Sequence, residues 1–276
     1  MTGAAPTQLY LNGATIMTTP TPLQLEMARD AGFSGIEARA ERLLTDPAET
    51  ATTARAVGPG EVLSLNGVRM GLTAGGGLER ETLQADLSER LEICRAIGAA
   101  YLLVVPPRVA GLGERAALPG IRDGLELVRD RAAAARVKVA FEFLGFHDCP
   151  IGTPAAAAAA IDGLEGVDLV LDSCHWHASG AGPLAVFPVE RLAIVHLNDA
   201  PAKPPREIED ADRVFPGEGV IRLDQLLAAL RSRGYAGPWS LETFNPSYWA
   251  EDPALVVRRG RAALEGLVQG SSSFPG

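Results

Sequence analysis

The sequence predicts a closed (β/α)8 barrel, and three observations carry that prediction. Eight short apolar runs alternate with longer segments of helical spacing, the order that builds a parallel sheet covered by helices. A polar residue ends nearly every run: Asn12, Glu37, Asn66, Glu142, Asp172, His196 and Glu242. The competing arrangement, an open doubly wound sheet, usually carries a glycine-rich phosphate turn after its first strand, and Leu-Tyr-Leu-Asn-Gly-Ala-Thr from Leu9 has no such pattern. Polar groups delivered to one face by many strands are the barrel's signature, because its chemistry collects at the carboxyl ends.

Taken in order, the runs are 8 to 12, 33 to 38, 61 to 66, 101 to 105, 137 to 143, 168 to 172, 193 to 197 and 238 to 243. After the third, Gly75 to Gly77 predict a mobile connection. Leu83, Leu87, Leu91 and Ile97 then repeat at helical spacing, as do Leu223, Leu226, Leu227 and Leu230 before the last run. The low-complexity stretch Ala155 to Ala160 reads as helix, since Thr153 supplies an N-cap and Pro154 suits the first helical position. No linker or composition break divides the 276 residues, and 47% hydrophobic content suffices for one large core. A single domain over 1–276 is expected, with its core at about 8–268. The first six or so residues and a tail at about 269–276 are expected to be disordered.

A net charge of −9 opposes a nucleic-acid grip, because no Lys/Arg cluster can neutralise several phosphates. The densest basic group, Arg258, Arg259 and Arg261, falls in a predicted terminal helix and reads as its solvated face. No run approaches the ~18 apolar residues of a membrane span, and the start lacks a basic region followed by an apolar stretch. Cys94, Cys149 and Cys174 are odd in number and lack metal-type spacing, which fits a reducing compartment, the cytoplasm.

A charged side chain ending a buried strand costs several kcal/mol unless a partner compensates it. Taken singly, Glu142 or Glu242 reads as a salt-bridged strand end and His196 as a satisfied core histidine. Glu142, Asp172, His196 and Glu242 at successive strand ends read instead as one site. Three oxygen ligands and one imidazole make a fairly hard set, suited to one divalent ion of Mn, Mg or Co and able to hold Zn. Asp172 opens Asp-Ser-Cys-His-Trp-His, which places His175 at the same opening as a donor to a substrate oxygen. His177 is left open between a structural and a supporting role. A Ser/His/Asp hydrolase built on Asp172, Ser173 and His175 is disfavoured, because residues this close rarely converge as a triad and no nucleophile elbow is present. The stretch from Asn198 to Asp212 is longer than a packed connection needs and predicts a lid. Beyond it, Arg213 would hold hydroxyls or a carboxylate, with Pro216, Gly217 and Gly219 fixing the turn.

Such a site suits enolate chemistry. A ketone oxygen and its neighbouring hydroxyl chelated to a metal stabilise an enediolate, while Glu142 and Glu242 approach the carbon from different sides as base and acid. Return of the proton to the opposite face gives epimerisation, and return to the neighbouring carbon gives isomerisation.

Several motifs carry a resemblance: Phe-Glu-Phe-Leu-Gly around Glu142, Leu-Val-Leu-Asp-Ser-Cys-His-Trp-His from Leu169, and Val-His-Leu-Asn-Asp around His196. Arg-Val-Phe-Pro-Gly-Glu-Gly from Arg213 and Leu-Glu-Thr-Phe-Asn-Pro-Ser-Tyr-Trp from Leu241 extend it. The chain resembles the xylose-isomerase-like TIM-barrel superfamily of sugar isomerases and epimerases, and within it the inosose (2-keto-myo-inositol) isomerases of inositol catabolism. The resemblance implies Glu142, Asp172, His196 and Glu242 as metal ligands, with His175 and Arg213 on a small keto-sugar or cyclitol substrate. A phosphorylated substrate is disfavoured, since no glycine-rich anion turn follows the last strands. The alternatives are a lyase that dehydrates an inosose or 3-dehydroshikimate or eliminates across a keto-glycoside, a catalytically silent subunit, and, remotely, an apurinic-site endonuclease. The last needs more imidazoles than His147, His175, His177 and His196, and the four retained ligand types oppose a silent subunit. Tyr248 and Trp249 read either as an apolar wall for a ring-shaped substrate or as the contact of a homo-oligomer.

Overall fold

In the computed structural model, which describes residues 7–270, each apolar run becomes a strand buried on both faces. The chain runs β1 (Leu9–Asn12), α1 (Thr21–Asp30), β2 (Gly35–Arg39), α2 (Ala40–Thr45), α3 (Pro47–Ala56), β3 (Val62–Arg69), α4 (Arg80–Ile97) and β4 (Tyr101–Val105). It continues through α5 (Glu114–Ala134), β5 (Lys138–Glu142), α6 (Pro154–Ile161), β6 (Val167–Asp172), α7 (Ser173–Ala178), β7 (Leu192–Leu197), α8 (Leu223–Ser232), β8 (Trp239–Leu241), α9 (Pro246–Trp249) and α10 (Pro253–Gly270). The strands pair in parallel in sequence order, and β8 returns to pair with β1, closing the (β/α)8 barrel.

The strand period of two sorts the side chains into layers. Leu9, Leu11, Val139, Phe141, Leu169, Leu171, Val195 and Leu197 face outward into the main core shared with the helices. Tyr10, Leu63, Leu103, Ala140, Val170 and Ile194 form a second apolar cluster that fills the barrel interior. Asn12, Glu142, Asp172 and His196 each follow a member of that cluster by two residues, so they share its inward face one pleat nearer the carboxyl end. Glu242 stands likewise two residues after the inward Ser240.

The helices follow the spacing that predicts them. In α5, Ala117, Ile121, Leu125, Val128 and Ala132 are buried along one stripe, and α8 buries Leu223, Leu226, Leu227 and Leu230. Thr153 caps α6 by accepting from Ala156 N (3.1 Å), with Pro154 as its first residue.

Two expectations need correction. Gly75 to Gly77 form a hydrogen-bonded turn instead of a mobile connection: Thr73 N donates to Gly77 O (2.8 Å) and Gly76 N to Thr73 O (2.9 Å). Gly76 has φ +86°, and a Cβ there would lie 2.1 Å from Ala116 O, so the turn packs directly on α5. Within the expected tail, Gln269 and Gly270 instead complete α10, with Gln269 Nε2 donating to Glu265 Oε1 (2.8 Å). The rest of the expected tail and the first six residues lie outside the described residues. Among the described residues no helix is long and apolar enough to cross a membrane.

Candidate metal centre and active site

Strand geometry delivers the four sequence-predicted residues to one place. Glu142 and Asp172 end β5 and β6, His196 stands one residue before the end of β7 opposite Asp172, and Glu242 follows β8. Each offers a ligand atom, and these atoms lie within 4.8 Å of one another in a buried group.

Local hydrogen bonds fix each position. Asp172 caps α7 by accepting from His175 N (2.8 Å) through Oδ1, while its Oδ2 accepts from Asn198 Nδ2 (2.6 Å). Asn198 also donates to the Glu242 carbonyl (2.9 Å), and its Oδ1 receives Ser173 Oγ (2.9 Å) and Cys174 N (3.1 Å). Glu242 is held from the first strand's loop, where Thr15 Oγ1 donates to Leu241 O (3.2 Å) and accepts from Thr243 N (3.2 Å). Its Oε1 accepts from Asn12 Nδ2 (2.9 Å) and its Oε2 from Arg213 Nη1 (2.7 Å).

The charges interact strongly in this dry volume. Burial pushes Glu142 up to about 7, against the pull of His196. Asp172 is likewise raised by burial, with Arg213 opposing. Burial acts upward on Glu242 too, but His196, Arg213 and Arg39 together hold it below the ordinary carboxylate range. Burial would lower His196, yet Glu242, Glu37 and Glu142 keep it well above its usual value. His175 goes the other way: burial and then Arg213 hold it well below, so it is neutral at pH 7.

A divalent ion fits this group. Glu142 Oε1 and His196 Nδ1 are buried without a hydrogen-bond partner although they lie 3.4 Å apart, and Glu242 Oε2 is 3.2 Å from the same nitrogen. With His196 neutral, its Nδ1 lone pair and the Glu142 oxygen are two acceptors facing one point, costly unless a cation, or a proton held on Nδ1, joins them. Once His196 is neutral, as a ligand must be, the carboxylates of Glu37, Glu142, Asp172 and Glu242 outnumber the guanidiniums of Arg213 and Arg39 beside them, leaving negative charge for a cation to offset.

A cavity of about 100 Å³ opens above the group, and of the four only Glu142 and Glu242 line it. His175 and Arg213 line it as well. Arg213 is 1% exposed and donates to Asp172 Oδ2 (3.1 Å) as well as Glu242, pairs with Asp210 (2.6 Å), and meets His175 Nε2 at 3.0 Å. With Nε2 accepting from Arg213, the His175 proton sits on Nδ1, which has no protein partner. His177 is half-buried and outside the cavity lining.

Sequence reasoning missed several contributors. Glu37, seen only as a polar strand end, is fully buried with both carboxylate oxygens against His196 Nε2 (3.1 and 3.2 Å). Arg39, one position past the recognised run, lies 3.7 Å from Glu242 and over Phe244; the Glu-x-Arg alternation on the inward phase was the available signal. The aromatic lining is Phe146 and Phe244, whereas Tyr248 stacks on Phe215 (4.2 Å) and Trp249 donates to Ala14 O (2.8 Å), neither lining the cavity. The expected lid is stapled: Arg108 donates to Glu209 (2.7 and 3.0 Å) and to Asp148 (2.7 Å), tying it to the loops after β4 and β5.

The family described as the xylose isomerase-like TIM barrel matches residues 25–267. The chain belongs to that family. Curated inosose isomerases match it, among them that of Bacillus velezensis, 30% identical over 193 residues, 67% of this chain and 68% of the relative. Across the inosose isomerases matched, the chain spans 42% to 68% of the relative's length. A 3-dehydroshikimate dehydratase of Pseudomonas aeruginosa is 30% identical over 184 residues, 63% of this chain but 28% of that protein. The solved structure of the IolI protein with a binding zinc atom superimposes with a TM-score of 0.86 at 25% identity, covering 97% of this chain and all of that one.

Proposed function

We propose that the protein is a divalent-metal-dependent isomerase or epimerase of an inosose or another unphosphorylated keto-sugar, working in the cytoplasm. One observation carries the reading: Glu142, Asp172, His196 and Glu242 gather in a buried group whose two glutamates alone line the cavity. These four would hold the ion, which when bound supplies Lewis-acid charge for an α-hydroxyketone becoming an enediolate. The zinc in the IolI structure and the names of the inosose isomerases support the reading.

Glu142 and Glu242 come from β5 and β8, so they meet a substrate from different sides; one takes the α-proton and the other returns it. His175 Nδ1–H donates to a substrate oxygen, and Arg213 balances the carboxylates while offering its edge to hydroxyls. Phe146, Phe244 and Val105 give the cavity an apolar side. The similarity to a 3-dehydroshikimate dehydratase favours a second reading, in which the same carbanion expels a β-hydroxyl.

The test is to incubate the metal-loaded protein with inososes, ketohexoses and 3-keto-glycosides in deuterium oxide. Exchange of one α-hydrogen, lost in Glu142→Gln and in Glu242→Gln, is expected. Loss of water from the substrate marks the lyase, and exchange that survives both substitutions refutes the assigned roles.

A further inference from the structure

The reaction leaves unused a buried acid that touches the candidate ligands. Glu37 is fully buried on β2, lies outside the four-residue group, and does not line the cavity, so it neither meets substrate nor belongs to the candidate ligands. An ionised carboxylate in such a place is expensive unless its lone pairs are taken. They are: Ser64 Oγ (2.6 Å) and Asn66 Nδ2 (3.1 Å) donate to Oε2, Asn12 Nδ2 (3.3 Å) donates to Oε1, and His196 Nε2 faces both.

The two nitrogens of His196 therefore meet different surroundings. Nε2 is directed at Glu37, whereas Nδ1 has no hydrogen bond and faces Glu142 and Glu242. A carboxylate behind Nε2 keeps the proton there and leaves the Nδ1 lone pair for the ion. The support is itself pinned. Asn12 Oδ1 accepts from Ala14 N (3.0 Å), which fixes the amide so that Nδ2 points at the acids, where it also reaches Asn66 Oδ1 (3.1 Å) and Glu242 Oε1 (2.9 Å).

We propose that Glu37 is the positioning residue of the metal centre, orienting His196 to ligate through Nδ1, with Asn12 tying that support to Glu242. The proposal rests on the metal-dependent reading above. It deepens that reading by naming what sets the affinity of the site besides the ligands.

The test compares zinc affinity, by competition with a chromophoric chelator, in the wild type, Glu37→Gln and Glu37→Ala, with heteronuclear NMR of the labelled imidazoles in the zinc-loaded protein. Glu37→Ala is expected to lose about 10–100-fold in affinity, and Glu37→Gln, whose amide oxygen still accepts from Nε2, clearly less. The wild-type spectrum should show His196 ligated at Nδ1 and protonated at Nε2. Should Glu37→Ala fail to fold, Glu37→Gln and the spectrum still decide. Zinc on Nε2, or a folded Glu37→Ala with unchanged affinity while the wild type binds zinc, overturns this inference alone. A wild type that binds no zinc overturns the metal reading and this inference with it.

Discussion

Replacing Arg213 by methionine keeps an unbranched stem that reaches about as far as the arginine Nε and deletes the charged end of the guanidinium. In the structure that group is 1% exposed and stands 2.7 Å from Glu242, 3.1 Å from Asp172 and 2.6 Å from Asp210. Breaking a buried ion pair by removing one partner costs about 3–5 kcal/mol, and here the loss falls chiefly on Asp172, since Glu242 keeps His196 and Arg39 and the Asp210 side chain is 40% exposed. For a chain of this size, roughly 2–4 °C accompany each kcal/mol, so the metal-free variant should melt some 6–20 °C below the wild type.

The same carboxylates are the candidate ligands, and this makes the prediction specific. A divalent ion would compensate Asp172 and Glu242 in place of the arginine, so saturating zinc or manganese should narrow the gap between variant and wild type. The sign with pH follows as well. Arg213 opposes the rise of Asp172 and helps hold Glu242 down. Without it both carboxyls rise, the folded variant keeps protons that the unfolded chain releases, and its stability falls as pH rises above the unfolded value of about 4. The penalty should be largest near pH 8 and smaller near pH 5. Thermal melts at both pH values, with and without metal, measure all three effects. A metal-free loss below about 1 kcal/mol, or a gap indifferent to metal, refutes the buried-compensation argument.

Zinc binding should release protons, since Glu142 is pushed up to about 7 and His196 lies well above its usual value. Affinity is therefore expected to fall by about tenfold or more per unit as pH drops below 7, and a flat profile in chelator competition counts against this. Asn198→Ala removes the amide that donates to Asp172 Oδ2 and to the Glu242 carbonyl; a loss of about 1–3 kcal/mol in denaturant melts is expected, with weaker zinc binding. Gly145→Ala would set a Cβ 2.2 Å from His175 O and 2.9 Å from its Cα, so α7 must shift; about 1–3 kcal/mol of destabilisation and a raised KM are expected, and wild-type values for both would contradict that packing.

The fold was legible because each strand, buried on both faces, reads as an unbroken apolar run, and helices with a single buried stripe separate the runs. The ligand group was legible for the same reason in reverse: a carboxylate or imidazole closing an apolar run is an anomaly that only a partner resolves. The role of Glu37 was not legible. It ends a run just as Glu142 does, and nothing local tells a residue facing His196 Nε2, 159 positions away, from one facing the ion. Arg213 was read as a substrate contact; it does line the cavity, but its pairing with Asp172, Glu242 and Asp210 was not legible, because Asp172 and Glu242 lie 41 and 29 positions away and no local pattern marks them. Gly75 to Gly77 looked flexible because glycine permits flexibility, while here it permits close approach to α5.

Barrel closure itself divides the labour at the mouth. Strands β5 to β8 supply Glu142, Asp172, His196 and Glu242 in succession, whereas β1 to β3 supply Asn12, Glu37 and Asn66, which donate to or accept from that set and from one another. In an open sheet of the same strand order β1 and β8 would be opposite edges. Here β8 pairs with β1, so Asn12 reaches a glutamate 230 residues away and joins the first strands to the last. Strand β4 brings no charge: Leu103 and Val105 line the cavity beside Phe146. The consequence for the proposed reaction is a cavity with its candidate ligand carboxylates and any ion on the β5–β8 side, where Arg39, Glu41, Asn66 and Arg69 add polar groups from the neighbouring β2–β3 side, and a short apolar stretch at β4. A ring bearing a ketone and hydroxyls would turn its oxygens to the former and its carbon skeleton to the latter, placing the α-carbon between Glu142 and Glu242.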